Sequence, residues 1–245
     1  MKNFSIILST VAVILAAVAL VSTSKCKTAG NGAAISAEQV SAVLTQNPKI
    51  IADAMQAYEN LQREEAEKAA QAALQAHATE LNSTDGLPFV GPKDAKVTVV
   101  EFFDFSCGYC KRLAPSMEKI IADNPDVKVI FKPVSFVSKV SGYQAKAGLA
   151  ADKQGKFLAY YTKVMNYKSG PMTEETIDSI AQEIGLDMEQ YKKDLNSSDV
   201  EKALNSVATL TGNIHVNGVP MVFVNVKHVP AMSPEPIQEA INNAK

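Results

Sequence analysis

VTVVEFFDFSCGYCKRLAPSM, residues 97–117, is the stretch on which the fold turns. Val97, Val99, Val100, Phe102 and Phe103 are β-branched or aromatic, so the run before the cysteines predicts a strand buried on both faces. Two residues separate Cys107 from Cys110. One turn of helix beginning near Cys107 brings the thiols close enough for a disulfide that opens and closes without backbone movement. Unpaired N–H groups and the positive end of the helix dipole favour negative charge on the Cys107 sulfur. Cys107 is then the attacking sulfur. Cys110, one turn further in, is the thiol that resolves the mixed disulfide formed with a substrate protein. The competing chemistry for a CxxC pair is half a zinc site, which needs two further Cys or His ligands at comparable spacing. Cys26 lies far upstream and His77, His215 and His228 are scattered, so the redox reading is preferred.

Outward from this stretch, 245 residues that are 47% hydrophobic suffice for one full domain plus an extension. A net charge of −2 supplies no basic excess for binding nucleic acid. Lys2 followed by an uncharged, Ile-, Val-, Leu- and Ala-rich run over residues 4–23 is the pattern of an export signal, so residues 1–24 are expected to direct the chain to the periplasm or cell envelope. The apolar run is long for a signal core and short for a membrane span. Cleavage is the expectation, and retention as a membrane anchor is the alternative. Cys26 follows small residues, as a lipid-modified cysteine would, but Lys25 immediately before it argues against that modification.

Residues 25–35 are small and polar and read as a linker. Ser36 with Gln39 forms a capping-box pattern that opens a short helix, and Asn47-Pro48 starts another. Ile51, Met55, Tyr58 and Leu61 recur at helical spacing as one apolar stripe, with Ile50 and Ala54 beside them. Residues 64–78 are mostly Ala, Glu, Gln and Lys, strong in helix propensity but poor in large side chains. Residues 36–81 therefore predict a helical arm. It either packs on its own chain or, as preferred here, pairs its stripe with another copy in a homo-oligomer.

Gly86, Pro88, Gly91 and Pro92 end the helix and lead into the cysteine strand. Beyond the cysteine helix, Asn124-Pro125-Asp126 turns the chain and residues 127–131 predict a second, parallel strand. A long helical section follows, in which Phe157, Tyr160, Tyr161 and Val164 form an aromatic stripe read as core. Pro220 opens an apolar run, residues 221–226, that predicts a strand, since proline is tolerated at a strand's start. A cis Val219–Pro220 bond suits so tight a turn, although spacing alone does not establish it. A short last strand and a closing helix from Pro234 complete the chain.

From about Gly86 onward the chain resembles the DsbA-like thiol:disulfide oxidoreductases of the thioredoxin superfamily. The likeness rests on GPKDAKVTVVEFFDFSCGYC, on helices inserted between two halves of a thioredoxin fold, and on GVP before the penultimate strand. It implies an α/β thioredoxin fold over residues 86–245, with a helical insertion at about 139–211. It also implies that Cys107 is the nucleophile and Cys110 the resolving thiol. Pro220 would be a cis-proline facing them, and Val219 a backbone partner for extended substrate. Glu101 falls where these proteins keep a buried acid, whose desolvated carboxyl exchanges a proton with Cys110. No cofactor is required, since the cysteines carry the electrons.

Gly108-Tyr109 stands between the cysteines where strongly oxidising DsbA proteins have Pro-His, and Tyr109 cannot stabilise a thiolate by charge. CGYC is also the active-site sequence of the dimeric isomerase DsbC. The N-terminal arm resembles those of DsbC and the trimeric ScsC proteins. Val219, by contrast, is the DsbA-like choice, and VNVKHVPAM lacks the glycines that commonly turn the last hairpin. Three functions follow for exported, cysteine-containing substrates. An isomerase or reductase is preferred, served by a DsbD-like membrane partner. A DsbA-type oxidase recharged by a DsbB-like partner is the alternative. A non-catalytic envelope protein that binds partners on a thioredoxin scaffold is the third.

Overall fold

The computed structural model describes residues 35–231 and 233–245; the expected export signal, Cys26 and most of the linker lie outside them. The chain divides into two compact units at Glu59/Asn60. The described part of the first holds α1 (Ala37–Gln46) and the start of α2 (Pro48–Ala76). Ser36 caps α1 with the expected box: its hydroxyl accepts from the Gln39 N–H while Gln39 accepts from the Ser36 N–H. Within this unit Ile35, Val40, Val43, Ile50, Ile51, Met55 and Tyr58 are all exposed.

In the second unit α2 continues to Ala76, His77 interrupts it, and α3 (Ala78–Asn82) resumes. The sequence predicts unbroken helix to Leu81; at His77 the backbone leaves helical geometry (φ −109°, ψ 21°). Leu74 and Leu81, seven residues apart, are both buried here. The alanine-rich stretch is therefore held by two leucines in this unit's core rather than by propensity alone.

A five-stranded mixed sheet follows. Its strands are β1 (Phe89–Val90), β2 (Thr98–Phe103), β3 (Lys128–Pro133), β4 (Met221–Val224) and β5 (Lys227–Val229), in the order β1-β3-β2-β4-β5. Only β2 and β3 are parallel, and the crossover between them is α4 (Gly108–Asp123), the cysteine helix. The insertion between β3 and β4 comprises α5 (Ser141–Lys153), α6 (Phe157–Met165), α7 (Glu174–Glu183), α8 (Met188–Leu195) and α9 (Ser198–Asn213). The Asp178 carboxylate ties three of these helices, accepting from Tyr143 on α5 and from Tyr191 and Lys192 on α8. Helix α10 (Pro234–Ala244) closes the chain. This is the thioredoxin arrangement with inserted helices that the resemblance implies.

All six residues of β2 are buried, because the sheet is covered on both faces. Alternation sends Val99 and Phe103 into one core, shared with Cys110, Met117, Tyr161 and Ile237. Val100 and Phe102 enter the other, shared with Leu81, Val207, Leu210 and Phe223. The final hairpin turns without glycine. Asn225 adopts φ +53°, and it exchanges two bonds with Thr98: its side chain accepts from the Thr98 N–H and its N–H donates to the Thr98 carbonyl. Asparagine tolerates the left-handed region better than most residues, and its amide oxygen anchors the turn to β2.

Candidate active site

Cys107 caps α4 in extended geometry, and the helix begins at Gly108. Its own N–H donates to the Asp104 carbonyl and its carbonyl accepts from the Lys111 N–H, so the dipeptide lies inside the first turn. The sulfur faces the turn before β4. There Val219–Pro220 is cis, and the Val219 carbonyl accepts from Cys107 Sγ at 3.3 Å. Cys107 retains 7% exposure, and Cys110 none. The expected gradient of access is present, with both thiols nearer the interior than the sequence suggests. Burial pushes the Cys110 thiol well up, against a backbone hydrogen bond from Asp104, and charge on Cys107 and Glu101 raises it further.

Glu101 sits on β2 between Phe131 of β3 and Val222 of β4, and is fully buried. Alternation puts it on the same side of the sheet as Val99 and Phe103, the side that holds Cys110. Burial pushes its carboxyl up to about 8, against the hydrogen bond from the Tyr161 hydroxyl, which lowers it. A carboxyl that titrates near neutrality can both accept and donate a proton.

Tyr109 is 54% exposed, and the Arg112 guanidinium lies over its ring at 4.1 Å from the centroid. Arg112 thus brings a cation to the dipeptide although Tyr109 carries none. Val219 is half-buried behind the cysteines.

The sequence reading passes over Asp104, which holds the site's shape. It is fully buried, and its carboxylate accepts from the Ser106 N–H (2.8 Å), the Ser141 hydroxyl (2.8 Å) and the Val137 N–H (3.1 Å). It therefore ties the cysteine turn to the loop after β3 and to the start of α5. Ser106 extends this link through hydrogen bonds to Ser138 and Gln144. Phe136 and Val137 on that loop are exposed apolar side chains beside the turn. Asp104 and Ser106 flank Phe105 immediately before Cys107, a position at which a carboxylate commonly forms a turn with its own backbone.

Among the described residues no group of three or more His, Cys, Asp or Glu side chains could hold a metal ion. Two sulfurs of unequal access, a carboxyl titrating near neutrality and a cis-proline turn facing them can carry out thiol–disulfide exchange.

The family model described as a DSBA-like thioredoxin domain matches residues 98–242. A probable disulfide bond formation protein D of Bacillus cereus is 34% identical over 148 residues, which make up 56% of this chain and 68% of that protein. Among solved structures, BcfH of Salmonella enterica Typhimurium matches with a TM-score of 0.71 at 28% identity, covering 84% of this chain and 93% of that one. A linker-deletion mutant of ScsC from Proteus mirabilis matches with a TM-score of 0.69 at 26% identity, covering 88% and 98%.

Proposed function

The chain belongs to the DSBA-like thioredoxin domain family and is a thiol–disulfide oxidoreductase, and within that class we propose that it is an isomerase or reductase of exported proteins. Cys107 attacks a substrate disulfide as the thiolate, forming a mixed disulfide and freeing one substrate thiolate. If that thiolate attacks another cystine, the substrate rearranges and Cys107 is finally expelled. If it does not, Cys110 gives its proton to Glu101 and attacks the Cys107 sulfur. The substrate then leaves reduced and the Cys107–Cys110 disulfide remains. Val219 offers its backbone to an extended substrate beside cis-Pro220, while Gly108 and Tyr109 form the opposite lip. In this reading a DsbD-like membrane donor restores the dithiol, and residues 1–24 deliver the chain to the periplasm or envelope.

The observation that favours isomerase over oxidase is the apolar stripe of Ile51, Met55, Tyr58 and Leu61, with Ile50 beside it, whose side chains are about half exposed or more. Self-association would bury it, and an oligomer holds several Cys107 sulfurs in one assembly while shielding them from a membrane oxidase. The ScsC match supports the same reading, since it covers a share of the chain that residues 86–245 alone are too short to supply. Reactivation of scrambled ribonuclease, run beside oxidation of the reduced form, tests the direction. The chain should lead in the first assay, with Cys107→Ala inactive and Cys110→Ala accumulating mixed disulfides. A lead in oxidation alone would assign it as a DsbA-type oxidase. Sedimentation of the chain should exceed monomer size and fall to it in the double variant Ile51→Asp, Met55→Asp.

A further inference from the structure

Helix α6 belongs to the insertion, yet one of its side chains reaches the redox centre. Tyr161 donates its hydroxyl to both Glu101 oxygens, at 3.2 and 3.4 Å, and is itself fully buried. These distances exceed the usual 2.7–2.8 Å of an O–H···O bond, so the hydroxyl straddles the carboxyl rather than clamping one oxygen. The ring is fixed by aromatic neighbours from three elements. Phe103 of β2 lies 5.3 Å away at 76°, Phe131 of β3 5.1 Å away at 57°, and Phe157 of α6 5.8 Å away. Such pairs resist rotation of the ring and keep the hydroxyl on one bearing.

Resting on the reading of Glu101 as the proton partner of Cys110, we infer that Tyr161 is a positioning residue for that transfer: its hydroxyl holds the carboxyl in place for exchange with the Cys110 thiol. In the resolving step the Cys110 proton passes to the Glu101 carboxylate and the Cys110 thiolate attacks the Cys107 sulfur. The Cys107–substrate bond breaks as the Cys107–Cys110 bond forms, and the departing substrate thiolate takes a proton from water. The substrate sulfur is reduced and the two enzyme sulfurs are oxidised. The titratable groups on this side of Glu101 are Cys107 and Cys110 of α4, with Glu118 further along that helix, and Tyr161 of α6. The register partners on β3 and β4, Phe131 and Val222, are apolar. Lys132 is buried in β3 next to Phe131, on the opposite face.

Tyr160 supplies a control. It is equally buried, but its hydroxyl donates to the Gln144 carbonyl, a bond internal to the insertion. Tyr160→Phe and Tyr161→Phe therefore delete the same atom from the same helix, one structural and one at Glu101.

The test is the reaction of the reduced full chain with excess DTNB, which releases two aromatic thiolates in two phases. The first is bimolecular and reports attack by Cys107; the second is unimolecular and reports attack by Cys110. Without its donor the carboxylate is less stable and is protonated at a higher pH, so less of it accepts a proton near neutrality. Tyr161→Phe should slow the second phase about three- to tenfold near pH 7 and move its pH midpoint upward. The first phase should not change, and Tyr160→Phe should match wild type in both. In a Glu101→Gln background the Tyr161→Phe effect should vanish. If Tyr161→Phe destabilises the chain too far, 3-fluorotyrosine at position 161 keeps the shape with a stronger donor, and the midpoint should move down. An unshifted second-phase profile in either substitution at 161 overturns the inference. A second phase unchanged by Glu101→Gln alone would instead overturn the underlying assignment of Glu101.

Discussion

Replacing Glu101 with glutamine should change how stability depends on pH by an amount that the burial of the side chain sets. The folded carboxyl titrates at about 8 and an ordinary glutamate at 4.5. Because the folded value is the higher one, the folded state binds the proton more tightly. The stability this contributes is complete below pH 4.5 and is lost as pH rises to about 8. Each pH unit in that window is worth about 1.4 kcal/mol, which amounts to about 3 kcal/mol lost by pH 7, about 4 kcal/mol by pH 8 and about 5 kcal/mol once the curve levels off. A glutamine at this position would keep an acceptor for the Tyr161 hydroxyl and nearly the same volume, but it cannot ionise. Urea unfolding of the reduced wild type and of Glu101→Gln, taken across this range, isolates the group as the difference between the two curves. Glu101→Gln should gain on wild type steadily from pH 4.5 upward and level off past pH 8. A difference that stays flat to within about 1 kcal/mol from pH 5 to pH 8 would refute the reasoning, because a desolvated carboxyl at this position requires the slope.

Asp104→Ala would leave the Ser106 and Val137 N–H groups and the Ser141 hydroxyl without their acceptor, and should cost about 3 kcal/mol in urea unfolding. Gly91 has φ +87°, and a Cβ there would collide with the Val127 carbonyl oxygen, so Gly91→Ala should cost more than about 3 kcal/mol and lower the melting temperature accordingly. Lys132 is pushed down by burial from 10.5 to about 8, so its contribution has the opposite slope: present above pH 10.5 and lost as pH falls through 8. Unfolding curves of wild type and Lys132→Met should diverge by about 3 kcal/mol between pH 10.5 and pH 7, with wild type losing ground as the pH falls.

The sequence carries the catalytic strand, the two-cysteine helix and the order of the inserted helices because each is written locally. Val97 to Phe103 spell a buried strand, two residues between cysteines suit one helical turn, and Pro220 marks where a strand must begin. What it does not carry is pairing across long separations. Tyr161 sits in an aromatic stripe that periodicity assigns to core; its ring is indeed core, but its hydroxyl reaches Glu101, sixty residues away along the chain. The absence of glycine near residue 225 points to an unusual last hairpin, and Asn225 resolves it by adopting left-handed geometry itself. Helix propensity reads residues 36–81 as one arm. Composition does not distinguish its exposed beginning from the part beyond Asn60, though the spacing of Leu74 and Leu81, two helical turns apart, is a signal of the difference.

Glu101 and Lys132 lie on neighbouring strands, one register step apart: Glu101 stands opposite Phe131, and Phe102 opposite Lys132. Alternation along parallel strands sends successive residues to opposite faces, so the acid enters the cysteine core and the base enters the core beneath α3. There the Lys132 ammonium donates to the carbonyls of Glu80 and Ser83 and fixes the end of that helix. The sheet between them keeps them from forming an ion pair. Each therefore meets desolvation separately, and each is driven toward its neutral form, the acid upward and the base downward, to about 8 in both cases. A direct pair would have held Glu101 ionised, against the proton exchange with Cys110 proposed for it. The pleat thus confines the structural charge to one face and leaves the other with a carboxyl whose proton is free to move.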